Sequence, residues 1–496
     1  MSTTLLKQPD IEPHDVEAVN AGAKKNQPLY AARQKVYPKR ASGMFRRWKW
    51  IIMIITLGVY YLTPWIRWDR GEFAPDQAVL IDFPARRFYF FFIEIWPQEF
   101  IFIAGLLVMA GIGLFLITSV VGRAWCGYTC PQTVWTDLFL VVERFFEGDR
   151  NARIRLDKSP WTFDKIRKRV MKHATWIIIA VLTGGAWIFY FADAPTLLKD
   201  FLTFNAPFVA YGTVGVLTAT TYLFGGIMRE QVCIYMCPWP RIQAAMLDED
   251  SLVVTYNDWR GEPRTKGMKK AQAAGDTAGD CIDCNACVAV CPTGIDIRDG
   301  QQLACITCAL CIDACDDVME KVNKPRGLID YITLADGERE RAGGQDAPVW
   351  KRILRPRVIL YFVLWSAIGL GLLAALFLRT DVAFSIEPVR NPVNVVLSDG
   401  SVRNAYELRL RNMTGFDRAF RLSVESPDPV ALTLEGVDGL DVSVPADATY
   451  RQRVYLTAPP GSAAGAGALT DLDLVLEDTN TGQVVREGTV FHGTGE

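Results

Sequence analysis

Five long apolar blocks, each bounded by charged residues, punctuate the chain at about Trp50 to Ile66, Phe100 to Val121, Ala174 to Phe191, Ala206 to Met228 and Val358 to Leu378. A hydrocarbon core of about 30 Å takes about 20 apolar residues in a helix. Each block is therefore expected to span a membrane, the first being the shortest. The aromatic run Phe88 to Trp96, closed by Pro97, reads as an interfacial segment rather than a sixth crossing. Beyond Asp381 the pattern changes to strict alternation, in Tyr406 to Asn412, Ala419 to Val424, Leu440 to Val444, Arg453 to Leu456 and Leu472 to Leu476, with Gly, Pro and Asn-Thr turns between. Period-two runs over about a hundred residues predict an immunoglobulin-like β-sandwich.

Composition agrees with this division: 496 residues, 50% hydrophobic, are too many for one compact soluble domain. The net charge of −2 says nothing about partners, but its distribution sets an orientation. Lys24, Lys25, Arg33, Lys35, Lys39, Arg40, Arg46, Arg47 and Lys49 precede the first block, and Arg150, Arg153, Arg155, Lys158, Lys165, Arg167, Lys168, Arg169 and Lys172 join the second to the third. The third to fourth connection carries only Lys199, and the first to second carries Arg67, Arg70, Arg86 and Arg87. The positive-inside rule puts the two basic regions in the cytoplasm, together with residues 229–357, and everything after Arg379 outside it, in the periplasm. The first apolar block follows a long polar segment, so it reads as a retained anchor rather than a cleaved signal. Basic clusters explained by topology give no reason to invoke nucleic acid, and membrane lipid is the expected partner of the spans.

Eight of the twelve cysteines repeat one ligand pattern, Cys281-x2-Cys284-x2-Cys287-x3-Cys291-Pro292 and Cys305-x2-Cys308-x2-Cys311-x3-Cys315. In a bacterial-type ferredoxin with two 4Fe-4S clusters, three closely spaced cysteines wrap one cube and the fourth reaches the other. This assigns Cys281, Cys284, Cys287 and Cys315 to one cluster, and Cys305, Cys308, Cys311 and Cys291 to the second. Structural zinc sites use two separated Cys-x2-Cys pairs, a different spacing. The second run ends Cys315-Asp316, without the proline of the first. Exposed thiolates survive best in a reducing compartment, and the segment expected outside has no cysteine.

The remaining cysteines form Cys126-Gly-Tyr-Thr-Cys130-Pro131 after the second span and Cys233-Ile-Tyr-Met-Cys237-Pro238 after the fourth. Helical backbone would place each i, i+4 pair on one face. Matching positions in two helical pairs suggest an internal repeat that brings four sulfurs together, for Cu(I), a redox-active dithiol or a further metal centre. Cysteine is also a small hydrophobe common in buried helices, though the repeated Cys-x3-Cys-Pro pattern argues against packing alone. Met228, Met236 and Met246 read as packing residues, Trp125 and Trp239 as interfacial anchors, and His173 and His492 as isolated histidines.

The expected organisation is a multidomain membrane protein: a flexible cytoplasmic segment (1–49), a four-span helical domain (50–240), a linker (241–274), a dicluster ferredoxin module (275–325), a second linker (326–357), a fifth span (358–379) and the sandwich (380–496). Trp125 to Thr133, Gln231 to Arg241, Arg260-Gly-Glu-Pro-Arg264 and the paired ferredoxin runs together resemble the CcoG/FixG family of cytochrome oxidase accessory proteins. The Cys-x3-Cys-Pro elements also resemble quinol-oxidising membrane ferredoxins of the NapH type, but a fifth span followed by an outer sandwich is expected of CcoG/FixG. That resemblance implies a role in assembling a cbb-type oxidase at the bacterial cytoplasmic membrane by reducing Cu(II) to Cu(I). It further implies copper at Cys126, Cys130, Cys233 and Cys237, a cytoplasmic electron donor, and delivery to a copper chaperone, a copper-transporting ATPase or oxidase assembly factors. A quinol dehydrogenase subunit and a non-catalytic assembly scaffold are the competing readings.

Overall fold

The computed structural model describes residues 14, 16, 18, 35–71, 74–265, 278–345 and 347–495. Lys24, Lys25 and Arg33 of the basic N-terminal segment, and residues 266–277 where linker was expected to give way to ferredoxin, lie outside them. The chain forms two compact units, one extending to Ile66 and resuming over Ala78–Leu372, the other comprising Arg67–Gln77 and the residues from Leu373 onward.

Four helices are long and apolar enough to cross a membrane: Phe100–Val121, Phe163–Ile188, Phe208–Met228 and Pro356–Leu378, of 22, 26, 21 and 23 residues. The fifth expected span lies in helix Met44–Leu62, whose opening turns contain Arg46, Arg47 and Lys49. Arg46 and Lys49 are buried beside Asp137, at 2.7 and 3.8 Å. The uncharged remainder, Trp50 to Leu62, rises only about 20 Å at 1.5 Å per residue, short of a hydrocarbon core. Helix Phe163–Ile188 starts well before its apolar block because Thr162 caps it, its hydroxyl accepting from the amide of Lys165 at 3.3 Å. The α-helix Phe208–Thr221 continues as a π-helical turn over Tyr222–Met228. Within that turn Gly225 and Gly226 lie under Phe139 and Trp176, whose rings would stand 3.1 and 3.0 Å from an added Cβ.

The aromatic run folds as part of a three-stranded antiparallel sheet, β1 (Val79–Asp82), β2 (Arg87–Phe90) and β3 (Ile93–Ile95), with Ile81↔Phe88 and Tyr89↔Glu94 in register. The Ile81 amide donates to the Tyr190 carbonyl at 2.8 Å, fixing the sheet at the end of helix Phe163–Ile188. Two further strands, β4 (Leu252–Tyr256) and β5 (Ile329–Thr333), pair antiparallel with Val254↔Tyr331 in register. The ferredoxin cysteines lie between them in sequence, and Val254, Tyr256 and Ile329 share a core with Cys281, Cys287 and Cys315.

The second unit is a two-sheet β-structure. One sheet has the order β10 (Ala431–Leu434), β12 (Thr449–Ala458), β8 (Val402–Asn412) and β6 (Val382–Pro388), with β7 (Val395–Val396) also paired to β8. The other has the order β11 (Asp441–Val444), β9 (Arg418–Glu425), β13 (Leu469–Asp478) and β14 (Val484–His492). Alternation along β8 buries Tyr406, Leu408 and Leu410, which meet Phe420, Leu422, Leu474 and Phe491 in a common core. All five strands expected from alternation are present. β6, β7, β10 and β14 were not anticipated: β7 and β10 have only two and four residues, and β14 carries Arg486, Glu487 and Gly488 in its middle, which break the apolar alternation.

Candidate functional site: two ferredoxin loops and a four-cysteine junction

The ferredoxin segment repeats one local design. Helices Ala286–Val290 and Leu310–Lys321 each follow a left-handed residue, Asn285 (φ 56°) and Ala309 (φ 58°). Asp283 (φ 51°) and Thr307 (φ 53°) are left-handed at the matching positions two residues earlier. Such turns aim successive amides into one concavity suited to an anion, and the Thr307 amide indeed points at Cys305 Sγ, 3.5 Å away.

The eight thiols fall into two groups. The charges of Cys287, Cys284 and Cys281 act on Cys315, while Cys308 and Cys291 act on Cys305. Burial pushes the thiols of Cys287 and Cys305 up to about 12 and raises those of Cys308, Cys311 and Cys315. Buried soft sulfurs that resist ionisation unless a metal takes the proton's place are the type of donor a 4Fe-4S cluster uses. Beside the first group Arg298 donates to Asp296 at 2.7 Å and to Asp283 at 2.8 Å, so its buried charge is neutralised by protein carboxylates.

The second pair of motifs departs from the helical face expected of Cys-x3-Cys. Cys126 lies in the short helix Ala124–Tyr128, but Cys130 is extended (ψ 128°) and caps the new helix Pro131–Glu147. Cys233 lies in a π-helical turn, Val232–Met236, and Cys237 is extended (ψ 125°) ahead of Pro238 and helix Trp239–Met246. Proline disfavours helical backbone in the residue before it and starts a helix readily, which resets the chain direction at both second cysteines. The i, i+4 face is replaced, twice, by a helix, an extended cysteine and a fresh helix.

The two motifs nevertheless face one another. Cys126 Sγ donates to Gln243 Oε1 at 2.9 Å, on the helix that Cys237 precedes, and Cys233 lines a small cavity with Thr133, Ile306 and Leu310. Cys130, Cys126 and Cys237 all act electrostatically on Cys233. Burial pushes Cys126 up to about 11 and Cys233 to about 12, with neighbouring thiolates adding to both, and it raises Cys130 despite the amides of Thr133 and Gln132 that face it. Among the described residues no three His, Cys, Asp or Glu side chains are spaced to hold one metal ion, and the eight ferredoxin cysteines are no exception.

This junction abuts the second ferredoxin loop. Cys126 packs in one apolar cluster with Cys308, Ile306 and Leu310, and an added Cβ on Gly127 would stand 2.8 Å from the Ile306 carbonyl oxygen. Arg123 lies between the two places: its charge acts on Cys126, Cys233 and Cys305, and its Nη1 donates to the Leu303 carbonyl at 2.8 Å. The residue is 4% exposed, and its guanidinium faces the Cys126 thiol rather than a carboxylate. Sequence reasoning passed over Arg123, Gln243 and Arg298. The only signal for Arg123 was its position three residues before Cys126. Met236, Trp125 and Trp239 are exposed, and His173 Nδ1 bonds the Tyr222 hydroxyl at 2.9 Å.

Comparison with known proteins matches residues 228–333 to a 4Fe-4S dicluster domain, residues 102–147 to a 4Fe-4S binding domain, and residues 372–494 to the IG-like fold at the C-terminus of FixG. Nitrogen fixation protein FixG of Rhizobium meliloti is 59% identical over 495 residues, 94% of each chain. Protein RdxA of Cereibacter sphaeroides is 58% identical over 94% of this chain and 99% of its own, and Protein RdxB of the same organism is 58% identical over 94% and 98%. Among solved structures, a FixG-related protein from Vibrio parahaemolyticus aligns with 23% of this chain and 99% of its own at 19% identity, with a TM-score of 0.21.

Proposed function

The chain belongs to the FixG family, and on that footing we propose that it takes electrons from a cytoplasmic carrier protein to the four-cysteine junction, where Cu(II) is reduced to Cu(I). The observation that carries this reading is the contact between Cys126 and the loop of Cys308, which puts the junction against the second ferredoxin group. Cys281, Cys284, Cys287 and Cys315 would hold one 4Fe-4S cluster and Cys291, Cys305, Cys308 and Cys311 the other, supplying one-electron storage and transfer when bound. The protein's own residues exclude water from the sulfurs, aim loop amides at them, and place Arg298 and Arg123 beside them.

Each Cu(II) ion accepts one electron from a reduced flavin or iron–sulfur carrier and leaves as Cu(I), for which a soft sulfur surface is the favoured destination. A copper chaperone, a copper-transporting ATPase or an oxidase assembly factor would receive it. In this reading copper is a substrate reduced at the junction, not a resident ion. The orientation that follows from basic loops puts the ferredoxin segment on the cytoplasmic side and the sandwich in the periplasm.

One observation favours a second reading, in which a quinol supplies the electrons. A cavity of about 330 Å³ lined by Gln132, Trp135, Thr183, Thr220 and Phe224 opens beside Pro131, the residue after Cys130. Anaerobic titration of the reduced, purified protein with Cu(II) separates the readings. Stoichiometric Cu(I), lost when Cys126, Cys130, Cys233 and Cys237 are all replaced by serine, is the expected result. Equal Cu(I) from both proteins overturns the copper reading, and cluster reduction by a quinol would favour the second.

A further inference from the structure

We propose that Cys126, Cys130, Cys233 and Cys237 hold a third 4Fe-4S cluster, shared between the two helical pairs and adjacent to the ferredoxin segment. The inference rests on the electron-transfer reading above and names the cofactor of that site. A matched 4Fe-4S binding domain covers residues 102–147, yet that stretch contains only Cys126 and Cys130, half of the thiolates a cube requires. The missing two are the only other cysteines outside the ferredoxin runs, Cys233 and Cys237. The fold turns them toward the first pair through Cys126–Gln243 at 2.9 Å and the cavity shared by Cys233 and Thr133.

Spacing separates a cube from a single ion. Among the described residues no three of these ligands are grouped for a single metal ion. The eight ferredoxin cysteines are not so grouped either. A cube distributes four thiolates over four irons and so takes sulfurs set further apart.

Charge gives an independent argument. A 4Fe-4S centre with four thiolates is an anion. At the first ferredoxin group the buried guanidinium of Arg298 is already matched by Asp296 and Asp283. Arg123 is as buried, has no carboxylate within salt-bridge distance among the described residues, and faces thiols instead, acting on Cys126, Cys233 and Cys305. A buried cation without a counter-charge is costly unless an anion faces it. Anionic centres on both sides of Arg123, one at the junction and one at the second ferredoxin group, meet that requirement. Amides of Gln132 and Thr133 at the start of helix Pro131–Glu147, facing Cys130, add the positive end of a helix to the same site.

The test is iron and acid-labile sulfide per chain in the full-length protein, purified anaerobically in detergent and reconstituted. The expected values are roughly 12 of each, falling to roughly 8 when all four junction cysteines are serine. Roughly 8 in wild type after reconstitution overturns the inference whatever the variant does. Mössbauer quantification of cubane iron in wild type, with Cys237→Ser alone as the milder variant, keeps the test decisive if the fourfold variant does not fold. Retained copper reduction with roughly 8 irons would sink the third cluster and spare the function, whereas roughly 12 irons with no copper reaction would do the reverse.

Discussion

The Tyr128 hydroxyl donates to the carbonyl of Cys308 at 3.2 Å. Tyr128 stands between Cys126 and Cys130 in sequence, so a single side chain of one cysteine motif grips the backbone of the other.

Replacing Tyr128 with Phe removes that bond and leaves a buried carbonyl unmatched. The expected cost is about 1–2 kcal/mol of stability, with iron content unchanged and slower copper reduction, since the contact positions the loop rather than ligating metal. Thermal unfolding, iron assay and stopped-flow reduction measure the three quantities separately. A rate unchanged from wild type would reduce Tyr128 to a packing residue.

Arg123→Gln withdraws a buried cation from beside Cys126, Cys233 and Cys305. Reduction adds negative charge to any iron centre held there, so its potential should fall. A loss of about 1.4 kcal/mol of electrostatic support corresponds to about 60 mV for one electron. EPR-monitored redox titration should show this displacement in the centre held by the 305–311 loop and leave the one near Arg298 in place. An equal shift in both, or none, would remove Arg123 from its assigned position between two anions.

Glu143 is fully enclosed. Burial works to raise its carboxyl, but Arg229, Arg153 and Lys172 outweigh it and hold the group down at about 2. Because the folded value lies below the unfolded one of about 4.3, the stabilisation is complete above that pH and is lost as pH falls toward 2. Glu143→Gln leaves Arg153 and Arg229, bonded at 2.9 and 2.8 Å, with uncompensated charge, at a cost of roughly 3–5 kcal/mol. Unfolding followed at pH 7 and pH 3.5 should show the variant much less stable at the higher pH and the gap narrowing at the lower one. A gap independent of pH would contradict the ion-pair account.

In the second unit Tyr406 is completely buried on β8 and donates to the Val490 carbonyl of β14 at 2.8 Å, joining the two sheets. Tyr406→Phe should cost about 1 kcal/mol or somewhat more, visible as a lower midpoint of unfolding for the sandwich with no change in iron content. Loss of iron in this variant would contradict independent stability of the two units.

The ferredoxin thiols were legible from sequence because their pattern is local: the loop that wraps a cube is only as long as the run of cysteines. The junction was half legible. Repetition of Cys-x3-Cys-Pro pointed to four sulfurs facing each other, but helical spacing was the wrong geometry, since Pro131 and Pro238 restart the chain just where the face was assumed to continue. The first apolar block, expected over Trp50 to Ile66, is not among the four helices long and apolar enough to cross a membrane, because its helix, Met44–Leu62, opens on charged turns in which Arg46 and Lys49 pair with Asp137. Arg123 was invisible because its meaning depends on which partners are missing, and that is a property of three dimensions.

The antiparallel pairing of β4 with β5 gives the metal-binding segment a single point of entry and exit. With Leu252 held opposite Thr333, the chain leaves for the metal-binding loops and returns through one doorway. Closing a loop of that length costs on the order of 4 kcal/mol, and a two-stranded pair alone is marginal. Because Val254, Tyr256 and Ile329 pack in one core with Cys281, Cys287 and Cys315, the doorway and the loops behind it stand or fall together.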